Sequence, residues 1–137
     1  MTDDPLFLKF LDTAASLEER LENALREVGL SRAKLATLQQ LRRVGEPVPL
    51  RVLAEGQGCV PSNITTLVAR LESEGLVRRI PDPTDRRSVL AGLTPLGEER
   101  AVAGSRAAAR VQQSFAASLR PAERVALARV LGSLGRV

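Results

Sequence analysis

Residues 78–95 read RRIPDPTDRRSVLAGLTP, and the placement of charge in that stretch decides how the rest of the chain is read. Two arginine pairs, Arg78–Arg79 and Arg86–Arg87, flank a turn built from Asp82, Pro83, Thr84 and Asp85. The apolar runs on either side, LVRRI and SVLAGL, are short, β-prone and lack helical spacing. A hairpin with a polar tip follows from that pattern. A turn that only reversed the chain has no use for four guanidinium groups, whereas one that touches a polyanion does.

Working outward from the hairpin, the periodicity becomes helical on both sides. Before it, Pro61 suits the first turn of a helix, and Ile64, Leu67, Val68 and Leu71 form one apolar stripe that ends at Gly75. The run GQGC precedes that helix as a tight turn. A short helix over about 49–55 comes before the turn, and EPVPL before that reads as a linker. Ser31 is placed to cap a helix through Leu35, Leu38 and Leu41 that ends near Gly45, and residues 5–28 form an opening helix stopped at Gly29. After the hairpin, Thr94 and Pro95 open a long helix to about residue 118, rich in Ala and Gly, and Pro121 starts a last one. The chain reads as one mainly α domain with a small wing of two or three strands.

Composition narrows the function classes. The 137 residues contain no His, Tyr or Trp and a single cysteine. Imidazole bases, catalytic triads and most zinc sites are therefore unavailable. Glu18–Glu19 and Glu98–Glu99 are adjacent pairs, which point in different directions on a helix and cannot share a substrate. GQGC lacks the following Lys and preceding strand of a phosphate loop. The expectation is a protein without catalysis, cofactor or metal. No apolar run reaches the length of a membrane span, and the acidic start is unlike a secretory signal, so a cytoplasmic location is expected. Net charge is only +4, yet eighteen of twenty basic residues are Arg. Residues 1–30 carry −4 and residues 31–137 carry +8, so the basic excess lies entirely after the opening helix.

Helix, glycine turn, helix and hairpin, in that order, is the layout of a winged helix-turn-helix. Its second helix must bury one stripe and offer the other to the major groove. Opposite the stripe lie Ser62, Asn63, Thr65, Thr66 and Arg70, with side chains able to meet base edges and phosphates. Arg86 and Arg87 stand where a wing meets the neighbouring minor groove, whose negative potential attracts Arg. Asp85 beside them is read as fixing an arginine rotamer, and Arg78 as a further basic contact at the wing entrance.

The segments LAEGQGCVPSNITTLVARLESEGLVRR (53–79) and DPTDRRSVLAGLTPLGEE (82–99) resemble the multiple-antibiotic-resistance regulator (MarR) family of bacterial winged-helix repressors. The second carries a wing signature similar to that family's: Asp, a spacer, Asp-Arg-Arg, a β run, then Leu-Thr and Gly. The resemblance implies a homodimer that binds double-stranded DNA at a pseudo-palindromic operator and represses transcription. It further implies dimerisation helices at about 5–28 and 95–136, a winged helix-turn-helix at about 31–93, and a small-molecule effector in a cleft between the two regions. A small apolar or aromatic effector is the expectation, and the scarcity of aromatic and titratable side chains favours an apolar one or none. By the same carry-over, Arg87 is the first choice for the minor groove. Two positions depart from the pattern, since Val60 and Arg120 stand where capping residues are expected.

Cys59 is the one candidate redox residue. A reactive thiol needs an electropositive, accessible setting, and the ordinary reading of Cys59 is a small buried hydrophobe. The competing reading of the whole chain is a winged helix used for protein contact, without specific DNA binding. The exposed wing arginines distinguish the two, because a protein-binding wing has no need of them.

Overall fold

Capping chemistry sets the helix boundaries. The computed structural model describes residues 4–57 and 61–135, with the backbone alone at residues 61 and 62. Cys59 and Val60 lie outside the described residues, as does the side chain of Ser62. Helix α1 (Pro5–Arg26) begins where the Asp4 carboxylate accepts the Leu6 N–H at 3.0 Å. Helix α2 (Arg32–Val44) begins at Ser31, whose Oγ accepts the Lys34 N–H at 3.2 Å, and ends at Gly45 with φ of 79°. A side chain at Gly45 would be strained in that left-handed conformation. Replacing the cap, Ser31→Ala, is expected to cost about 1 kcal/mol, measurable as a lower urea midpoint at unchanged slope.

Helices α3 (Leu50–Gln57) and α4 (Pro61–Ser73) follow, then strands β2 (Val77–Pro81) and β3 (Val89–Leu93), and finally α5 (Pro95–Ala117) and α6 (Pro121–Leu134). The helices match the sequence reading to within a few residues. The segment EPVPL does not stay a linker. Its Val48–Pro49 forms β1, pairing antiparallel with β3 so that Val48 faces Ala91, and the sheet order is β1-β3-β2. A two-residue edge strand offers few ladder bonds, so the prolines around it are tolerated there. At Arg120 the missing cap is supplied from within the first turn: Glu123 Oε1 accepts the Arg120 N–H at 2.9 Å and its Nε–H at 3.2 Å.

The core lies where α2, α3, α4 and the wing converge, around Leu38, Leu41, Leu53, Ile64, Val68, Leu71, Leu76 and Ala91, all 2% exposed or less. Thr37, fully buried, is satisfied: its Oγ1 donates to the Ala33 carbonyl at 3.0 Å and accepts from Gln57 Nε2 at 2.8 Å. Helix α5 is joined to this core at its first turn. Thr94 Oγ1 donates to the Gly75 carbonyl at 2.7 Å, the Thr94 N–H reaches the Leu76 carbonyl at 3.2 Å, and Gly97 packs against that same carbonyl. The Gly75–Leu76 turn that follows α4 and the start of α5 thus form one hydrogen-bonded joint. Further along, Arg42 pairs with Glu98 at 2.7 Å and Gln39 bonds Ser105 at 3.0 Å, tying α2 to α5.

The outer helices leave apolar surface uncovered. Leu6, Phe7, Leu8, Phe10 and Leu11 of α1 are exposed, as are Val125, Val130, Leu131 and Leu134 of α6, and α6 has no buried residue among those described. No described helix is long and apolar enough to cross a membrane.

Candidate nucleic-acid interface

Helix α4 is amphipathic in the sense its spacing requires. Ile64, Val68 and Leu71 are buried at 1% exposure or less, while Asn63, Thr65, Thr66 and Arg70 face outward. Small polar side chains on that face let the helix backbone approach a partner closely, and Arg70 stands in its last turn.

Two aspartates shape the wing tip. Asp82 Oδ1 accepts both the N–H of Thr84 at 2.9 Å and its hydroxyl at 2.8 Å. Asp85 Oδ1 accepts the backbone N–H of Arg87 at 2.9 Å, and the Asp85 carbonyl accepts from Ser88 N at 3.1 Å. The expectation that Asp85 fixes an arginine side chain is therefore corrected. Its carboxylate folds the local backbone into an Asx turn, because an N–H two residues on lies closer than any guanidinium. Arg86 and Arg87 are exposed, and their side chains make no ion pair among the described residues.

The wing is braced to α4 by a contact the sequence reading missed. Glu72 Oε2 accepts the Arg79 N–H at 2.9 Å, and Oε1 accepts the Arg79 Nε–H at the same distance. Strand alternation separates the arginine pair. Arg78 lines a cleft of about 490 Å³ with Arg42, Pro47 and Glu98, whereas Arg79 lines one of about 430 Å³ with Thr65, Asp85 and Arg87. The structure thus brings Arg79, rather than Arg78, alongside α4 and the wing tip. The period-2 pattern of β2 held that signal, since adjacent arginines on a strand cannot share a face. A third cleft, of about 610 Å³, lies beside α2 and α5 and is walled by Gln39, Arg42, Arg43, Glu98 and Ser105. An apolar effector seated there would meet a polar wall.

Both bracing carboxyls sit below their ordinary pKa. For Glu72 the Arg79 backbone N–H contributes most, followed by the Arg79 side chain; for Asp82 it is the Thr84 backbone N–H, then the Thr84 hydroxyl. A group with a depressed native pKa stabilises above its unfolded value, and that contribution is lost as pH falls through the native one. The chain has no His. Thermal stability is accordingly expected to be flat between about pH 6 and 8 and to decline only in acid, which a melting series across pH checks.

The GQGC segment is helical at Gly56 and Gln57, inside α3, and Gly58 and Cys59 lie outside the described residues. Helix α3, the polar-faced helix α4 and an arginine-tipped three-stranded wing, in that order, make the arrangement of a winged helix-turn-helix transcriptional regulator. Residues 30–89 match the model of the MarR family. Over that segment the chain is similar to the MarR family, whose transcriptional regulators are non-enzymatic. The HTH-type transcriptional regulator YkoM of Bacillus subtilis is 32% identical over 94 residues, which span 69% of this chain and 60% of that relative's length. A MarR-like transcription regulator of Bacillus cereus superposes with a TM-score of 0.83 at 26% identity, over 96% of this chain and 94% of that one. A cysteine-to-serine variant of MarR from Escherichia coli, crystallised with operator DNA, has the same fold, with a TM-score of 0.78 at 22% identity over 95% of this chain and 93% of that one.

Proposed function

We propose that the chain acts as a homodimer that binds a pseudo-palindromic operator and represses transcription. The observation that carries this reading is the cleft shared by α4 and the wing, with Thr65 on one wall and Arg87 on the other. One molecule of duplex DNA offers a groove to each. In this reading Ser62, Asn63, Thr65, Thr66 and Arg70 line the major groove, Arg86 and Arg87 enter the minor groove, and Asp85 shapes the tip that presents them. Dimerisation is supported by the uncovered apolar faces of α1 and α6. The two recognition helices would meet successive major grooves about one helical turn, ~10 bp, apart. An effector that favours a dimer geometry unsuited to DNA would release the operator; a tenfold loss of affinity needs only ~1.4 kcal/mol of such coupling.

Selection from random duplexes tests the reading and is expected to recover an inverted repeat. On the selected operator, Arg87→Ala is expected to weaken binding about tenfold and to flatten the salt dependence by about one unit per lost phosphate contact. Failure to enrich any motif, with weak binding indifferent to Arg87→Ala, would point instead to a winged helix that docks a protein.

A further inference from the structure

Arg51, on the first turn of α3, has no part in the reading so far. It is exposed, and it makes no hydrogen bond or ion pair among the described residues. It nevertheless lines the cleft of about 430 Å³ between α4 and the wing, together with Thr65, Arg79, Asp85, Arg87 and Ser88. Three guanidinium groups and one carboxylate border this space, and the carboxylate, that of Asp85, is turned to the Arg87 backbone N–H. Arg79 is held at its Nε by Glu72, which leaves its terminal nitrogens as the remaining donors. The cleft is therefore concave, basic and partly preorganised.

The geometry of duplex DNA says what belongs there. A major groove and the minor groove next to it are separated by a single sugar–phosphate strand. If α4 occupies the one and the wing tip the other, that strand must cross the space between them. We infer that the cleft is a phosphodiester site, in which Arg51 and Arg79 grip the DNA strand running between the two grooves. This assignment rests on the DNA-binding reading above and adds to it a contact that fixes position and carries no base preference. Arg51 belongs to α3 and Arg79 to β2, so the grip also sets the depth at which α4 sits relative to the wing.

The test combines one substitution with neutral linkages in the DNA. Arg51→Ala suits it because the side chain is exposed and makes no hydrogen bond or ion pair among the described residues. The selected operator is prepared as a series of duplexes, each with one methylphosphonate in place of a phosphate. Wild-type protein is expected to lose about three- to tenfold in affinity at one such position in each half-site. Arg51→Ala is expected to lose a similar factor on unmodified DNA and to be insensitive to neutralisation at that position. Its ranking of operator sequences should stay that of wild type, and its salt slope should fall by about 0.9 for each Arg51 removed.

Wild-type affinity and salt slope in Arg51→Ala would overturn the assignment, as would a weakened variant that stays sensitive to every neutral linkage. Saturable binding of inorganic phosphate that Arg51→Ala abolishes, with operator affinity unchanged, would overturn it in favour of a small-anion site. If wild type selected no operator, both this inference and the DNA-binding reading would fall. If wild type scanned normally and Arg51→Ala made no difference, only this inference would.

Discussion

Gly97→Ala is expected to destabilise the native chain by about 3 kcal/mol, lowering the melting temperature by roughly 10 °C. The position is helical, so propensity alone would make alanine the better residue by about 1 kcal/mol. Packing reverses that preference. An added Cβ would overlap the Leu76 carbonyl oxygen and come within 2.8 Å of Leu93 Cδ1. The obstacle is backbone, which cannot rotate away, and the same carbonyl already accepts the Thr94 N–H at 3.2 Å. Relief therefore requires α5 to move off the Gly75–Leu76 turn that follows α4, breaking the joint between them. Urea unfolding of the purified variant measures the effect, and a variant as stable as wild type would show that the joint is looser than described.

The second large effect concerns the outer helices. If the chain pairs through these faces as proposed, Phe7→Glu combined with Leu131→Glu is expected to weaken the dimer at least a hundredfold and to reduce operator affinity by a similar factor. Phe7 is 63% exposed and Leu131 45% exposed in the single chain, so neither substitution disturbs the protomer core. In a symmetric dimer each added carboxylate occurs twice, and each must be desolvated or held apart. A hundredfold loss corresponds to about 2.7 kcal/mol, within reach of one charge placed in an apolar contact. Sedimentation at micromolar concentration reports the mass, and circular dichroism confirms that the protomer stays folded. A variant that sedimented as the wild type does would remove α1 and α6 from the dimer contact.

Much of this architecture is legible in the chain because the signals are local. Ser31 and Thr94 cap helices, Gly45 and Gly75 end them, and the Pro–Asp cluster turns the wing, all through contacts a few residues apart. The features that escape a sequence reading depend on what the fold brings together. Strand β1 is only two residues long and gains its identity from pairing with β3, some forty positions away. The Glu72–Arg79 brace joins the end of a helix to a strand across the Gly75 turn, and nothing in the spacing of the two residues announces it. Asp85 belongs to the wing tip on either reading, yet it bonds the Arg87 backbone N–H and not a guanidinium, since side-chain charge is visible in a sequence and the direction of a backbone N–H is not. Arg51 is one arginine among eighteen until the fold places it at the mouth of a cleft.

The joint at Thr94 also has a mechanical consequence. Helix α4 contains 13 residues, so it is a rod of about 20 Å, and the Gly75–Leu76 turn at its C-terminal end is clamped to the first turn of α5. A rotation of about 10° at the clamp swings the free end through about 3.5 Å, close to the rise of one base pair, ~3.4 Å. Where α4 reads a duplex as proposed, the tilt of α5 is thereby geared to the frame of that reading. In the proposed homodimer, a change in pairing angle between two copies of α5 too small to disturb either core would shift the far end of each recognition helix by about the height of one base pair.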